Sequence, residues 1–149
     1  MLIQPYLFLE GRTEEAIAFY KKALGAEVEM LMRFKDAPPD PNAGAGAPEG
    51  CGPMQADPEK VMHASLLVGG ARIMCSDGMN SGKPEFKGVS LSLSYPSDAE
   101  TKKVFDALSD GGTVQQPLMR TFFSSSFGML ADRFGVNWMV ITDTGNPPA

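Results

Sequence analysis

Cysteine is scarce in this chain, histidine and tryptophan occur once each, and no apolar run is long. Two cysteines in 149 residues cannot build the disulfide framework by which small secreted domains compensate for a thin core. Cys51 lies in a Gly/Pro-rich stretch, and Cys75 lies in an apolar run, where a thiol reads as a small buried hydrophobe. Gly, Ser or Arg breaks every apolar stretch well short of the ~18 to 20 residues that a membrane-spanning helix needs. Positive charge is in deficit too: 13 Lys and Arg stand against 18 Asp and Glu, a formal net charge of −5, with the cations single or in pairs. No phosphate-neutralising patch results, so nucleic acid is not an expected partner, and neither is a membrane. The opening Met1-Leu2-Ile3-Gln4-Pro5 has neither the basic region nor the apolar core of a signal peptide, and the expected location is the cytoplasm.

What is present is globular composition, 43% hydrophobic with nine Phe and three Tyr, in a length that suits one domain over residues 1–149. Ile3 to Leu9 reads as a strand. After Gly11 the period changes: Thr13 can cap a helix, Glu14 and Glu15 suit its first turn, Ile17, Tyr20 and Leu24 recur on one face, and Gly25 ends it. Ala26 to Phe34 alternates as a half-buried strand. Asp36 to Pro58 is a long Pro/Gly/Ala loop, readable as a lid over a site or as an excursion with no role. Val61 to Val68 and Ala71 to Asp77 form a hairpin through Gly69-Gly70. Val89 to Tyr95 alternates with Ser90, Ser92 and Ser94, and Ser97-Asp98-Ala99-Glu100 has the capping-box pattern before a helix that ends at Gly111-Gly112. Strand-like runs follow at 113–122, 124–131 and 136–143.

The helix end Ala23-Leu24-Gly25 is echoed by Ala107-Leu108 and Gly112, so the chain repeats internally. The expected class is α+β: two tandem βαβββ modules, about 1–79 and about 88–144, in curved, mostly antiparallel sheets with helices outside and a concave inner face.

Phe19-Tyr20, Leu24-Gly25 and Asp132-Arg133-Phe134-Gly135-Val136 resemble the vicinal oxygen chelate superfamily, the glyoxalase, bleomycin-resistance and dioxygenase group, over nearly the whole chain. Pro5-Tyr6, Glu15-Ala16-Ile17, His63-Ala64, Ile73-Met74 with Ser76-Asp77, and Trp138-Met139 are similar to its PhnB-like branch, labelled demethylubiquinone methyltransferase-like. The resemblance implies a cup of two modules, completed in a homodimer. In metal-dependent members four inward residues, His, Glu or occasionally Gln, on the first, fourth, fifth and eighth strands hold a divalent ion. The corresponding positions here are Pro5 (Gln4 if the register slips by one), Met74, Ser90 with Val89 beside it, and Met139. Thioether, hydroxyl and proline ring cannot replace imidazole and carboxylate on Zn, Ni, Mn or Fe. No metal or other cofactor is therefore expected.

The expected ligand pocket comprises Pro5, His63, Met74, Ser90, Ser92 and Met139. His63 reads either as a general base or ligand-binding group, or as a structural histidine bonded to a neighbouring strand. Arg33, Arg72 and Arg120 read as anion-binding groups or as solvated strand arginines. Ser124-Ser125-Ser126 lacks a nucleophile elbow. Three functions follow: a metal-free protein binding a small organic ligand; a lyase- or dioxygenase-type enzyme using His63 and Gln4, with a divalent metal or none; and a methyltransferase. The last requires a Gly-rich strand-to-helix turn, whereas Gly69-Gly70 joins two strands and Gly111-Gly112 follows a helix.

Overall fold

The structure is a computed structural model that describes residues 1–38 and 57–145. β1 (Tyr6–Phe8) leads into α1 (Thr13–Leu24), β2 (Glu27–Arg33), a 3-10 turn at Phe34–Asp36, β3 (Val61–Val68) and β4 (Ala71–Ser76). The same order returns as β5 (Leu91–Tyr95), α2 (Asp98–Ser109), β6 (Thr113–Met119), β7 (Phe127–Ala131) and β8 (Asn137–Thr142). The fold is α+β, with two four-stranded mixed sheets ordered β1-β4-β3-β2 and β5-β8-β7-β6. In each sheet the first and last strands of the module run parallel and the other pairings are antiparallel. No described helix is long and apolar enough to cross a membrane.

Two compact units contain these elements: Met1–Ala18 with Ala26–Lys83, and Phe19–Gly25 with Pro84–Ala149. In the first, Leu7, Ala64, Leu66, Ile73 and Cys75 put one face of the sheet into the core with Ala16 and Ile17. Gly69 and Gly70, with φ of +54° and +86°, make the tight β3–β4 turn that only residues tolerant of positive φ can adopt. The cap of α1 differs from expectation. Thr13 is already helical, its amide donates to Asp77 Oδ1 at 2.9 Å, and its buried hydroxyl has no partner among the described residues. A carboxylate 64 residues away thus takes the place of a local cap, and its Oδ2 also accepts from Val61 N at 2.6 Å.

In the second unit α2 packs on its sheet through Val104, Phe105 and Leu108, and its cap is the expected one. Ser97 Oγ accepts from Glu100 N at 3.3 Å and donates to Glu100 Oε2 at 2.8 Å. Asp132, 4% exposed, organises the β7–β8 turn. Its Oδ1 accepts from the amides of Phe134 (2.9 Å) and Val136 (3.1 Å), and its Oδ2 from the Tyr20 hydroxyl (2.6 Å) and Trp138 Nε1 (2.9 Å).

Several boundaries move. β1 starts at Tyr6 rather than Ile3 because Pro5 has no N–H for the ladder, although its carbonyl accepts from Met74 N at 3.0 Å. β5 starts at Leu91, where pairing with Trp138 begins, and leaves Ser90 ahead of the strand. β6 stops at Met119 and β7 begins at Phe127, since Thr121 and Ser124 close a turn between them. β2 is not half-buried: it is a sheet edge, exposed from Glu27 to Leu31, with a register shift between Val28 and Met30 that breaks its alternation. The expected lid falls largely on residues 39–56, which lie outside the described residues, as does Cys51.

Two stability predictions follow from the buried polar groups. Asp132→Ala strands four buried donors and is expected to lower the unfolding free energy by at least ~3 kcal/mol, from roughly 1–3 kcal/mol per unsatisfied group; urea melts followed by Trp138 fluorescence read it, and a loss below ~1 kcal/mol would contradict the lock. Thr13→Val keeps the shape, removes the unpartnered hydroxyl and is expected to raise stability by up to about 1 kcal/mol, where a comparable loss would mean that the hydroxyl is bonded.

Candidate functional site on the open face of the first sheet

Alternation along each strand puts every second side chain of the first sheet on the face opposite its core. The register lines up Tyr6, Met74, Ser65 and Met30 in one row across β1, β4, β3 and β2, with His63 beside Met32 in the next. This face is open, with Tyr6 36% and Phe8 55% exposed. Phe8, Tyr6 and His63 form a ladder of tilted rings with centroids 5.1 and 5.5 Å apart, and the Tyr6 hydroxyl lies 3.1 Å from His63 Nδ1. Nε2 of His63 has no partner among the described residues.

A polar group flanks the rings. Arg72 grips Glu29 with two hydrogen bonds, Nε to Oε2 at 2.6 Å and Nη2 to Oε1 at 3.1 Å, and Ser65 Oγ donates to Glu29 Oε2 at 2.9 Å. The guanidinium first and the hydroxyl second hold the Glu29 carboxyl below the usual carboxylate range, so the pair stays ionised at neutral pH. On the opposite, core face Cys75 is sealed in: burial, then the negative charge of Asp77, pushes its thiol up from the ordinary 9.0 to about 12.

The structure brings three of the expected pocket residues onto one sheet. Pro5 contributes a carbonyl to the β1–β4 pairing, and Met74 and His63 stand on the open face, where Tyr6 occupies the row of Met74. Ser92, Met139, Met129 and Gln116 form the corresponding row of the second sheet, with Ser90 just outside it. Gln4 is half-buried, and no hydrogen bond links it to His63. Among the described residues no three of His, Cys, Asp and Glu converge as a metal site requires. A phenol, thioethers, hydroxyls and one imidazole do not fit the divalent ion of metal-dependent vicinal oxygen chelate enzymes. Tyr6 and Phe8 did not emerge from sequence reasoning, although the Tyr6-Leu7-Phe8 alternation puts both opposite a core leucine.

The sequence profile of the family described as 3-demethylubiquinone-9 3-methyltransferase matches residues 2–141. The chain is 36% identical over 141 residues, 94% of each sequence, to Protein YjdN of Escherichia coli (strain K12). Among solved structures it is similar to protein PA1353 of Pseudomonas aeruginosa (39% identity, TM-score 0.77, covering 96% of this chain and 98% of that one). It is also similar to a putative 3-demethylubiquinone-9 3-methyltransferase, PhnB protein, of Bacillus cereus (27% identity, TM-score 0.74, 96% and 100%). The glyoxalase-type fold itself is shared with a glyoxalase-related enzyme of Fulvimarina pelagi (13%, TM-score 0.59, 96% and 88%) and the fosfomycin resistance protein FosX of Listeria monocytogenes (12%, TM-score 0.59, 97% and 93%).

The buried, fully protonated state of Cys75 is directly testable. Iodoacetamide at pH 8 is expected to leave Cys75 unmodified in the native protein and to alkylate it after denaturation, as read by peptide mass spectrometry. Native alkylation within minutes would show that the core face of the sheet is open.

Proposed function

The chain belongs to the 3-demethylubiquinone-9 3-methyltransferase family, PhnB-like proteins with the glyoxalase-type fold, and from that premise we propose that it binds a small organic molecule without a metal ion. The observation that carries this reading is the part-exposed ladder Phe8–Tyr6–His63, edged by Met30, Met32 and Met74 on the open face of the first sheet. Flat rings beside flexible thioethers make an adaptable apolar surface, and a few polar groups at its edge orient what binds. The row of Ser92 and Met139 offers a second, more polar surface of the same kind.

Methyl transfer, which the family description names, finds no support in the helix starts. An adenosyl cofactor is held by a glycine-rich strand-to-helix turn and a helix N-terminus. Here the first amide of α1 is bonded to Asp77, and Ser97 caps α2. Gly11, the one glycine at either turn, has the Asn80 side chain where a Cβ would sit.

The reading extends to a homodimer in the cytoplasm. Leu2, Ile3, Val89 and Phe122 are strongly exposed apolar residues that a second copy would cover. The test is a screen of small aromatic and aliphatic fragments against protein treated with a chelator, observed through the ring signals of the single histidine. Hits that shift the His63 signals in the wild type and are lost in Tyr6→Ala are expected, with light scattering of the same sample giving a dimer. A screen without hits, or hits that appear only after Ni, Mn, Zn or Fe is added, would overturn the metal-free binding reading.

A further inference from the structure

The chemistry of the open face narrows what it can hold, an argument that rests on the binding reading above. The four strands of the first sheet carry two cations, Arg33 and Arg72. Arg33 is paired with the Glu14 carboxylate and the Glu59 carbonyl, and Arg72 gives Glu29 two of its five N–H donors, one from Nε and one from Nη2. An anionic ligand would meet a carboxylate beside each of these cations, so neither offers it an uncompensated positive charge. Of the two carboxylates on the strands, Glu29 is already engaged by Arg72 and Ser65, and Glu27 stands in the row of Leu67 and Arg72, at the other end of β2 from the Met32 that pairs with His63.

What the face does present is a hydrogen-bond donor. In the tautomer whose Nδ1 accepts from the Tyr6 hydroxyl, 3.1 Å away, the ring proton sits on Nε2. That N–H has no partner among the described residues, and the rings of Tyr6 and Phe8 continue from the same imidazole as a tilted platform. We infer that the ligand is a flat, uncharged molecule with a hydrogen-bond acceptor, such as a ring ketone or a neutral heterocycle, read by His63 Nε2–H. Tyr6 is the positioning residue that fixes the proton there.

Four naphthalenes of equal ring size test this at pH 8: 2-acetylnaphthalene, naphthalene, 2-naphthoate and 2-naphthylmethylamine. Affinities come from saturation-transfer NMR, and the imidazole nitrogens are followed by proton–nitrogen correlation, which is unambiguous because His63 is the sole histidine. The ketone is expected to bind roughly five-fold more tightly than naphthalene and roughly ten-fold more tightly than either charged analogue, and to move the Nε2 signal more than Nδ1. In Tyr6→Phe, which keeps the ring, the preference for the ketone over naphthalene is expected to vanish. Binding of the naphthoate or the amine as tight as the ketone overturns this inference and leaves the binding face standing. A ketone no better than naphthalene overturns the acceptor, and a preference that survives in Tyr6→Phe overturns the role of Tyr6. Failure of all four to bind overturns the face itself and this inference with it.

Discussion

A single carboxylate, that of Asp132, takes four donors in the second unit: two amides of its own turn, the Trp138 indole and the Tyr20 hydroxyl. Its four lone-pair positions are filled, which is the condition under which a buried carboxylate is tolerated. The consequences spread along the chain. Fixing the amides of 134 and 136 shapes the β7–β8 hairpin, fixing the indole seats the largest residue of β8, and fixing Tyr20 brings the end of α1 into the same core. Phe19, Tyr20 and Phe134 then pack edge to face, and Arg133 lies 4.5 Å over the Phe19 ring while holding the Asp110 carbonyl.

The same residues explain why the fold was legible in the sequence while the ligand was not. Phe19-Tyr20 and Asp132-Arg133-Phe134-Gly135-Val136, which carry the family resemblance, are the two halves of this lock. They report architecture and hold no reactive group at a surface. The repeat, the hairpin glycines and the Ser97 cap were legible because each is local: a turn conformation or a bond within four residues. The start of α1 was not, because its cap comes from Asp77, 64 residues on, and the exposure of β2 was not, because only the strand order shows which strand is an edge.

For the candidate site the division falls between rows and chemistry. His63 was legible from alternation once Ala64 is taken as core, and Met74 from the fourth-strand position that the family resemblance implies; Ala64 and Cys75 are buried beside them. Tyr6 was not, because its importance comes from the parallel pairing of β1 with β4 and from a hydrogen bond to a residue 57 positions away. Corresponding rows in the two sheets share a topology and differ in content: Tyr6, Met74, Ser65 and Met30 against Ser92, Met139, Met129 and Gln116. A methionine on the last strand of the module is common to both, and the aromatic residue belongs to the first alone.

Function in such a chain is best read from the groups that folding leaves without work. The carboxylates of Asp77 and Asp132 are filled by donors of the fold, the Cys75 thiol is held neutral in the core, and Arg72 is tied to Glu29. The hydroxyls of Ser65 and Ser97 are bound to the carboxylates of Glu29 and Glu100. His63 differs from all of these in having one nitrogen engaged and the other directed to no described partner, at the end of a ring ladder that the core does not need. A folding role alone would leave that nitrogen and the exposed Phe8 unexplained, whereas a flat ligand stacked on the ladder and bonded to Nε2 accounts for both.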